Sequence, residues 1–180
     1  MICPGDVVVI TGIMAAGKST VAQALAERLP QSVHLRGDLF RRMIVNGQAE
    51  VTPENWERAE RQLHLRCRLA TQAAVGYAEA GFTVCYQDVI LGPDLQRVVD
   101  LLAAAPTRLH VVVLAPSPDV AAQRDIDRAK SGYGDWTATR LDEGLRRDTP
   151  RLGLWLDTSN LTVEETVSAI LDRSGESLIR

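Results

Sequence analysis

Short apolar runs rich in β-branched residues alternate along the 180 residues with longer stretches whose apolar positions recur at helical spacing. Val7-Val8-Val9-Ile10, set between Pro4-Gly5 and Gly12, reads as a buried strand. Residues 18–29 read as a helix, with Val21, Ala22, Leu25 and Leu29 on one face and Pro30 as its stop. A strand over 32–35 and a helix over 38–45, closed by Asn46-Gly47, come next. The spacing then predicts a long helix over 53–80, capped by Thr52 and ended by Gly81, with Gly76 marking close packing. Strands over 82–86, Leu109–Leu114 and Leu154–Leu156 alternate with helices over 94–104, 119–129, 139–147 and 162–173. Ser117 caps the 119–129 helix with Pro118 at its first position, and Thr162 with Glu165 forms a capping box on the last. Five continuous apolar strands, each followed by helical chain, predict an α/β fold with a parallel sheet covered on both faces.

The length fits one domain over residues 1–180, with a mobile lid at 124–137. A hydrophobic content of 46% argues against a disordered chain. The net charge of −3 and 4% aromatic residues argue against a nucleic-acid partner. No apolar run approaches the ~18 residues that span a bilayer, so no membrane contact is expected. The strand signal at Val7 leaves no room for a cleavable leader, and a cytoplasmic location is expected. Cys3, Cys67 and Cys85 lack metal-ligand spacing, and Cys85 reads as a core residue. Nothing in the sequence fixes an oligomeric state.

Gly12-Ile13-Met14-Ala15-Ala16-Gly17-Lys18-Ser19 carries glycine, glycine, lysine and hydroxyl at the spacing of a phosphate-binding loop, between a predicted strand and a predicted helix. The chemistry explains the spacing. Gly12 and Gly17 let the backbone wrap a phosphate, so that the amides of Ala15, Ala16 and their neighbours point inward. The following helix adds its positive end. Lys18 reaches the β- and γ-phosphates, Ser19 offers its hydroxyl to Mg²⁺, and Thr20 lies nearer the α-phosphate.

In an open parallel sheet, ligands collect beyond the carboxyl ends of the strands. Asp38 and Asp88 fall there. Asp38 is the candidate base for an acceptor hydroxyl, its alternative being a helix N-cap. Asp88 is a candidate for binding Mg²⁺ through water, or for orienting Asp38 or the acceptor, its alternative being a turn residue. Arg124 and Arg128 sit four apart at the start of the lid, where they could meet transferring phosphate oxygens, or lace a surface helix with ion pairs to Asp125 and Asp127. Tyr133 lies among lid glycines. Arg41 and Arg42 could hold an anionic substrate group or keep Asp38 ionised, their alternative being a solvated helix face; on the long helix Trp56 and the stripe Arg61, His64 and Arg68 could line an acceptor pocket, the alternative for His64 being a structural role. Thr158, after the last strand, is a candidate adenine contact.

The order of these motifs resembles the small P-loop phosphotransferases of the chloramphenicol phosphotransferase type. It comprises GIMAAGKST, Asp38 after the second strand, Asp88-Val89-Ile90-Leu91-Gly92 after the third, the arginines of the lid helix, and Asp157-Thr158 after the fifth. Gluconate kinases, shikimate kinases and the zeta toxins share the layout more distantly. The resemblance implies a five-stranded sheet of order 2-3-1-4-5, ATP- and Mg²⁺-dependent transfer to a hydroxyl, and Asp38 as base. It leaves the acceptor open, whether an antibiotic or a sugar-like metabolite. The alternatives are a zeta-toxin-like or polynucleotide-kinase-like phosphotransferase, and a nucleotide-binding regulatory NTPase.

Overall fold

Apolar strands too continuous for a half-solvated sheet end up buried on both faces. In a computed structural model, residues 1–50, 52–127 and 137–179 are described. The strands are β1 (Val7–Thr11), β2 (Ser32–Arg36), β3 (Thr83–Gln87), β4 (Leu109–Leu114) and β5 (Leu154–Leu156), all parallel, in the order β2-β3-β1-β4-β5. Every residue of β1, β3 and β4 is buried, whereas β2, at the edge, is half-buried throughout. The helices are α1 (Lys18–Glu27), α2 (Asp38–Arg42), α3 (Trp56–Glu79), α4 (Pro93–Ala103), α5 (Pro118–Ile126), α6 (Ala138–Asp148), α7 (Val163–Asp172) and the short α8 (Ser174–Ser177). They cover the sheet, α1 packing on α7, α3 on α4, and α5 on α6.

Several boundaries differ from the sequence reading. The helix expected over 38–45 stops at Arg42, and the long helix opens with a 3-10 turn over Pro53–Asn55 before α3 begins. Gly76 is not a point of close packing: a Cβ placed there would meet nothing within 4 Å. A sixth strand, β6 (Leu178–Ile179), was not expected. It pairs antiparallel with the start of β4, below the stretch that β5 covers. His110 in β4 secures that corner. It is fully buried, with Nδ1 2.9 Å from Ser177 Oγ and Nε2 3.3 Å from Asp6 Oδ2, and burial lowers its pKa. The capping box on α7 is formed as expected, the Thr162 side chain accepting from the Glu165 amide and the Glu165 carboxylate from the Thr162 amide. Among the described residues no helix is long and apolar enough to cross a membrane.

Candidate functional site

Parallel register brings five strand ends to one edge of the sheet. Arg36 of β2, Gln87 of β3 and Ile10 of β1 stand level, and Thr11 pairs with Val113 of β4. The residues just beyond these ends, Gly37, Asp88, Gly12, Ala115 and Asp157, therefore surround one region.

The phosphate loop follows β1. Gly12 sits at φ +146, and a Cβ there would lie 2.3 Å from the Leu114 carbonyl oxygen, so only glycine lets the loop leave the sheet at this point. Ala15 (φ 60) and Gly17 (φ +91) turn left-handed on either side of Ala16. Alternation of this kind makes a concavity of amides. A Cβ at Gly17 would meet nothing within 4 Å, so the cradle is open. The Lys18 side chain is buried against the loop, its Nζ donating to the Ile13 carbonyl at 2.7 Å. Ser19 and Thr20 are exposed in the first turn of α1, where amides have no intrahelical acceptor. Loop and helix line a cleft of about 380 Å³ with Arg124, Leu161, Thr162 and Thr166. An open amide cradle, a buried lysine and an exposed hydroxyl fit a triphosphate with Mg²⁺. Lys18 and the loop amides would hold the phosphates, and Ser19 the metal.

Arg124 of α5 closes the far wall, its Nη2 donating to the Thr158 carbonyl at 2.8 Å. Thr158 is buried, and its hydroxyl makes no hydrogen bond among the described residues. Arg128 and Tyr133, with most of the expected lid, lie outside the described residues.

Across the loop, Asp38 is the first residue of α2. The N-cap is Gly37, so the capping alternative for Asp38 does not hold. The Asp38 carboxylate sits 2.7 Å from Arg42 Nη2 and 3.6 Å from Arg36 Nε, and all three side chains are partly exposed. Arg41 turns away, donating to the Ala49 carbonyl at 3.3 Å.

Asp88 is more than a turn residue. It is buried, its Oδ1 accepts from the Val89 amide at 2.7 Å, and its Oδ2 lies 2.9 Å from Arg66 Nε. That ion pair is close without being aligned as a hydrogen bond. Burial holds the Asp88 carboxyl above its ordinary range; the Arg66 guanidinium, the Val89 amide and Lys18 act to lower it, and the Asp38 charge raises it further. Asp88 thus stands within electrostatic reach of both the phosphate lysine and Asp38. Cys67 lies beneath, its thiol pushed up to about 12 by burial and then by Asp88. Among the described residues, no group of three or more His, Cys, Asp or Glu side chains could hold a metal alone.

Arg66 is the residue that sequence reasoning missed. The stripe Arg61, His64 and Arg68 faces elsewhere: Arg61 pairs with Glu57, His64 Nε2 lies 3.1 Å from Asp94 Oδ1 at the start of α4, and Arg68 is exposed. The face of α3 turned to the site carries small buried residues, Ala59, Cys67, Ala70 and Ala74. Arg66 stands seven residues after Ala59 and four before Ala70, and a charge on such a stripe was the available signal. Arg146 was also missed; it reaches from α6 to Asp142 at 2.7 Å and to the Ala115 carbonyl at 3.5 Å.

Comparison with known proteins agrees with this geometry. The profile of the AAA domain family AAA_33 matches residues 7–150. A UPF0200 protein of Aeropyrum pernix is 30% identical over 135 residues, covering 75% of this chain and 71% of that protein. An adenylyl-sulfate kinase of Chloroflexus aurantiacus is 34% identical over 126 residues, 68% of this chain and 62% of its own length. Among solved structures, the Mycobacterium tuberculosis APS kinase CysC, in complex with AMPPNP and APS, superposes with a TM-score of 0.71 at 20% identity, covering 96% of this chain and 99% of that one. That last likeness shows the fold. The match over residues 7–150 makes this chain a member of the AAA_33 AAA domain family.

Proposed function

We propose that this P-loop kinase moves the γ-phosphoryl group of ATP, with Mg²⁺, onto a hydroxyl of a small molecule, and that Asp38 is the general base. The observation that carries the reading is the meeting, at one sheet edge, of a phosphate loop with its buried Lys18 and of Asp38 on the neighbouring turn, with Asp88 between them. The acceptor hydroxyl gives its proton to the Asp38 carboxylate while its oxygen bonds to the γ-phosphorus. The bond from that phosphorus to the β–γ bridging oxygen breaks, and ADP leaves. Ser19 would hold Mg²⁺, which would supply positive charge to the phosphate oxygens. Arg124 then exchanges the Thr158 carbonyl for the nucleotide, and Arg128 and Tyr133 are assigned to the lid on sequence grounds. Arg42 pairs with the Asp38 carboxylate at 2.7 Å until the acceptor arrives. An adenylyl-sulfate kinase among the relatives supports a small-molecule acceptor, and the likeness to the chloramphenicol phosphotransferases keeps an antibiotic hydroxyl among the candidates.

ADP release measured across hydroxylated antibiotics, sugars, sugar acids and nucleosides tests the reading. In the Asp38→Asn enzyme, nucleotide binding persists and transfer falls by about 10²–10⁴-fold, the usual contribution of general base catalysis. In Lys18→Ala, nucleotide binding weakens and turnover is abolished. Transfer by Asp38→Asn at the wild-type rate contradicts the assignment of the base.

A further inference from the structure

We infer that Arg66 is a positioning residue for phosphoryl transfer, acting through Asp88 to fix the turn that presents Asp38. The inference rests on the reading of Asp38 given above, and on contacts between three elements distant in sequence. Arg66 comes from the middle of α3, with only 15% of its side chain exposed, and its Nε lies 2.9 Å from Asp88 Oδ2. Asp88 follows β3 and is held from its other oxygen by the Val89 amide at 2.7 Å. Its carboxylate in turn fills the space over Gly37: a Cβ built on that glycine would fall 2.2 Å from Oδ2 and 2.7 Å from Cγ.

Gly37 has ordinary helical dihedrals, φ −62 and ψ −31. Its lack of a side chain therefore answers to the Asp88 carboxylate and not to the backbone. Gly37 is also tied to β3, its amide donating to the Gln87 carbonyl at 3.0 Å. The next residue is Asp38. The chain of contact thus runs from Arg66 to Asp88 to Gly37 to the proposed base, and its two central members, Asp88 and Gly37, are buried. Cys67 and Tyr86 line the same pocket as neutral groups, since burial raises both of their pKa values, so neither competes as an anion for Arg66. None of Arg66, Asp88, Gly37 and Asp38 lines the cleft at the phosphate loop, which separates the role of Arg66 from that of Lys18.

The test compares Arg66→Met, Arg66→Lys, Asp88→Asn and Arg66→Met/Asp88→Asn with wild type and Asp38→Asn. Three quantities are read: affinity for Mg-AMPPNP, ADP release with an acceptor drawn from the panel above, and hydrogen exchange over residues 36–43. For Arg66→Met the expected result is a kcat lowered by roughly 10²-fold, as for a misplaced catalytic group, with KM for ATP and AMPPNP affinity at wild-type values. Exchange at the Gly37 amide is faster. Arg66→Lys recovers part of kcat, and the double variant loses no more than Asp88→Asn alone. The inference is overturned if Arg66→Met keeps wild-type kcat and exchange. A loss of AMPPNP affinity in step with kcat and a lowered melting temperature overturns it too, as does a loss that adds to that of Asp88→Asn. If Asp38→Asn keeps full transfer, the assignment of the base fails instead. If no acceptor in the panel turns over, exchange over residues 36–43 still decides whether Arg66 holds the turn.

Discussion

Gly37 and Gly12 are glycines for different reasons, and substitutions distinguish them. At Gly12 both the backbone, φ +146, and the Leu114 carbonyl exclude a side chain. At Gly37 the backbone is ordinary and the nearest obstacle is the Asp88 side chain. Gly37→Ala therefore destabilises the fold by about 1–3 kcal/mol, the range for overpacking a filled site, and costs less than that when made in an Asp88→Ala chain, where the crowding is gone. Gly12→Ala is not recovered by any single change at a neighbouring side chain, because the obstacle is main chain. Thermal melts of the single and double variants check both statements; a Gly37→Ala chain that melts like wild type contradicts the crowding argument.

Scale changes what the sequence reveals. At the level of elements, the five strands, the phosphate loop and the capping box were legible because each rests on local chemistry: β-branched runs, glycine spacing, and a hydroxyl three residues before a carboxylate. The α7 cap illustrates the consequence. Hydrogen bonds from the Thr162 amide and hydroxyl lower the Glu165 pKa, so folding favours its ionised form. The cap's contribution is present above the unfolded value of 4.5 and is lost as pH falls through the lower folded value. Thr162→Ala costs about 1 kcal/mol, and it also weakens nucleotide binding, because Thr162 lines the cleft beside the phosphate loop. A denaturant titration at neutral and at acidic pH checks this: the difference between wild type and Thr162→Ala shrinks on acidification. What stayed hidden depended on partners far along the chain. Arg66 looks like any helix arginine until α3 is docked against β3, and the stripe that was chosen, Arg61, His64 and Arg68, was defined by charge spacing without knowledge of which face is covered. β6 gives no sequence signal because two residues have no periodicity, and its partner strand lies far along the chain, beside the buried His110–Ser177 contact.

For the molecule as a whole, the phosphate cleft is the place where ligand and fold exchange free energy. A nucleotide present at 100 times its Kd stabilises the native state by about 2.7 kcal/mol, which for a chain of this size raises the melting temperature by roughly 5–10 °C. Lys18→Ala removes most of that rise and Asp38→Asn does not, since Asp38 does not line the cleft at the phosphate loop and is proposed to serve the acceptor. The most direct measurement of phosphoryl transfer uses ATP carrying heavy oxygen in its γ-phosphate, incubated with the enzyme, Mg²⁺ and the acceptor panel, with products read by mass spectrometry. One acceptor becomes heavier by a single labelled phosphate in the wild-type reaction and none does in the Asp38→Asn reaction, although both proteins bind the nucleotide. Label that ends only in inorganic phosphate for every acceptor, or an acceptor labelled equally by both proteins, would contradict phosphoryl transfer through Asp38.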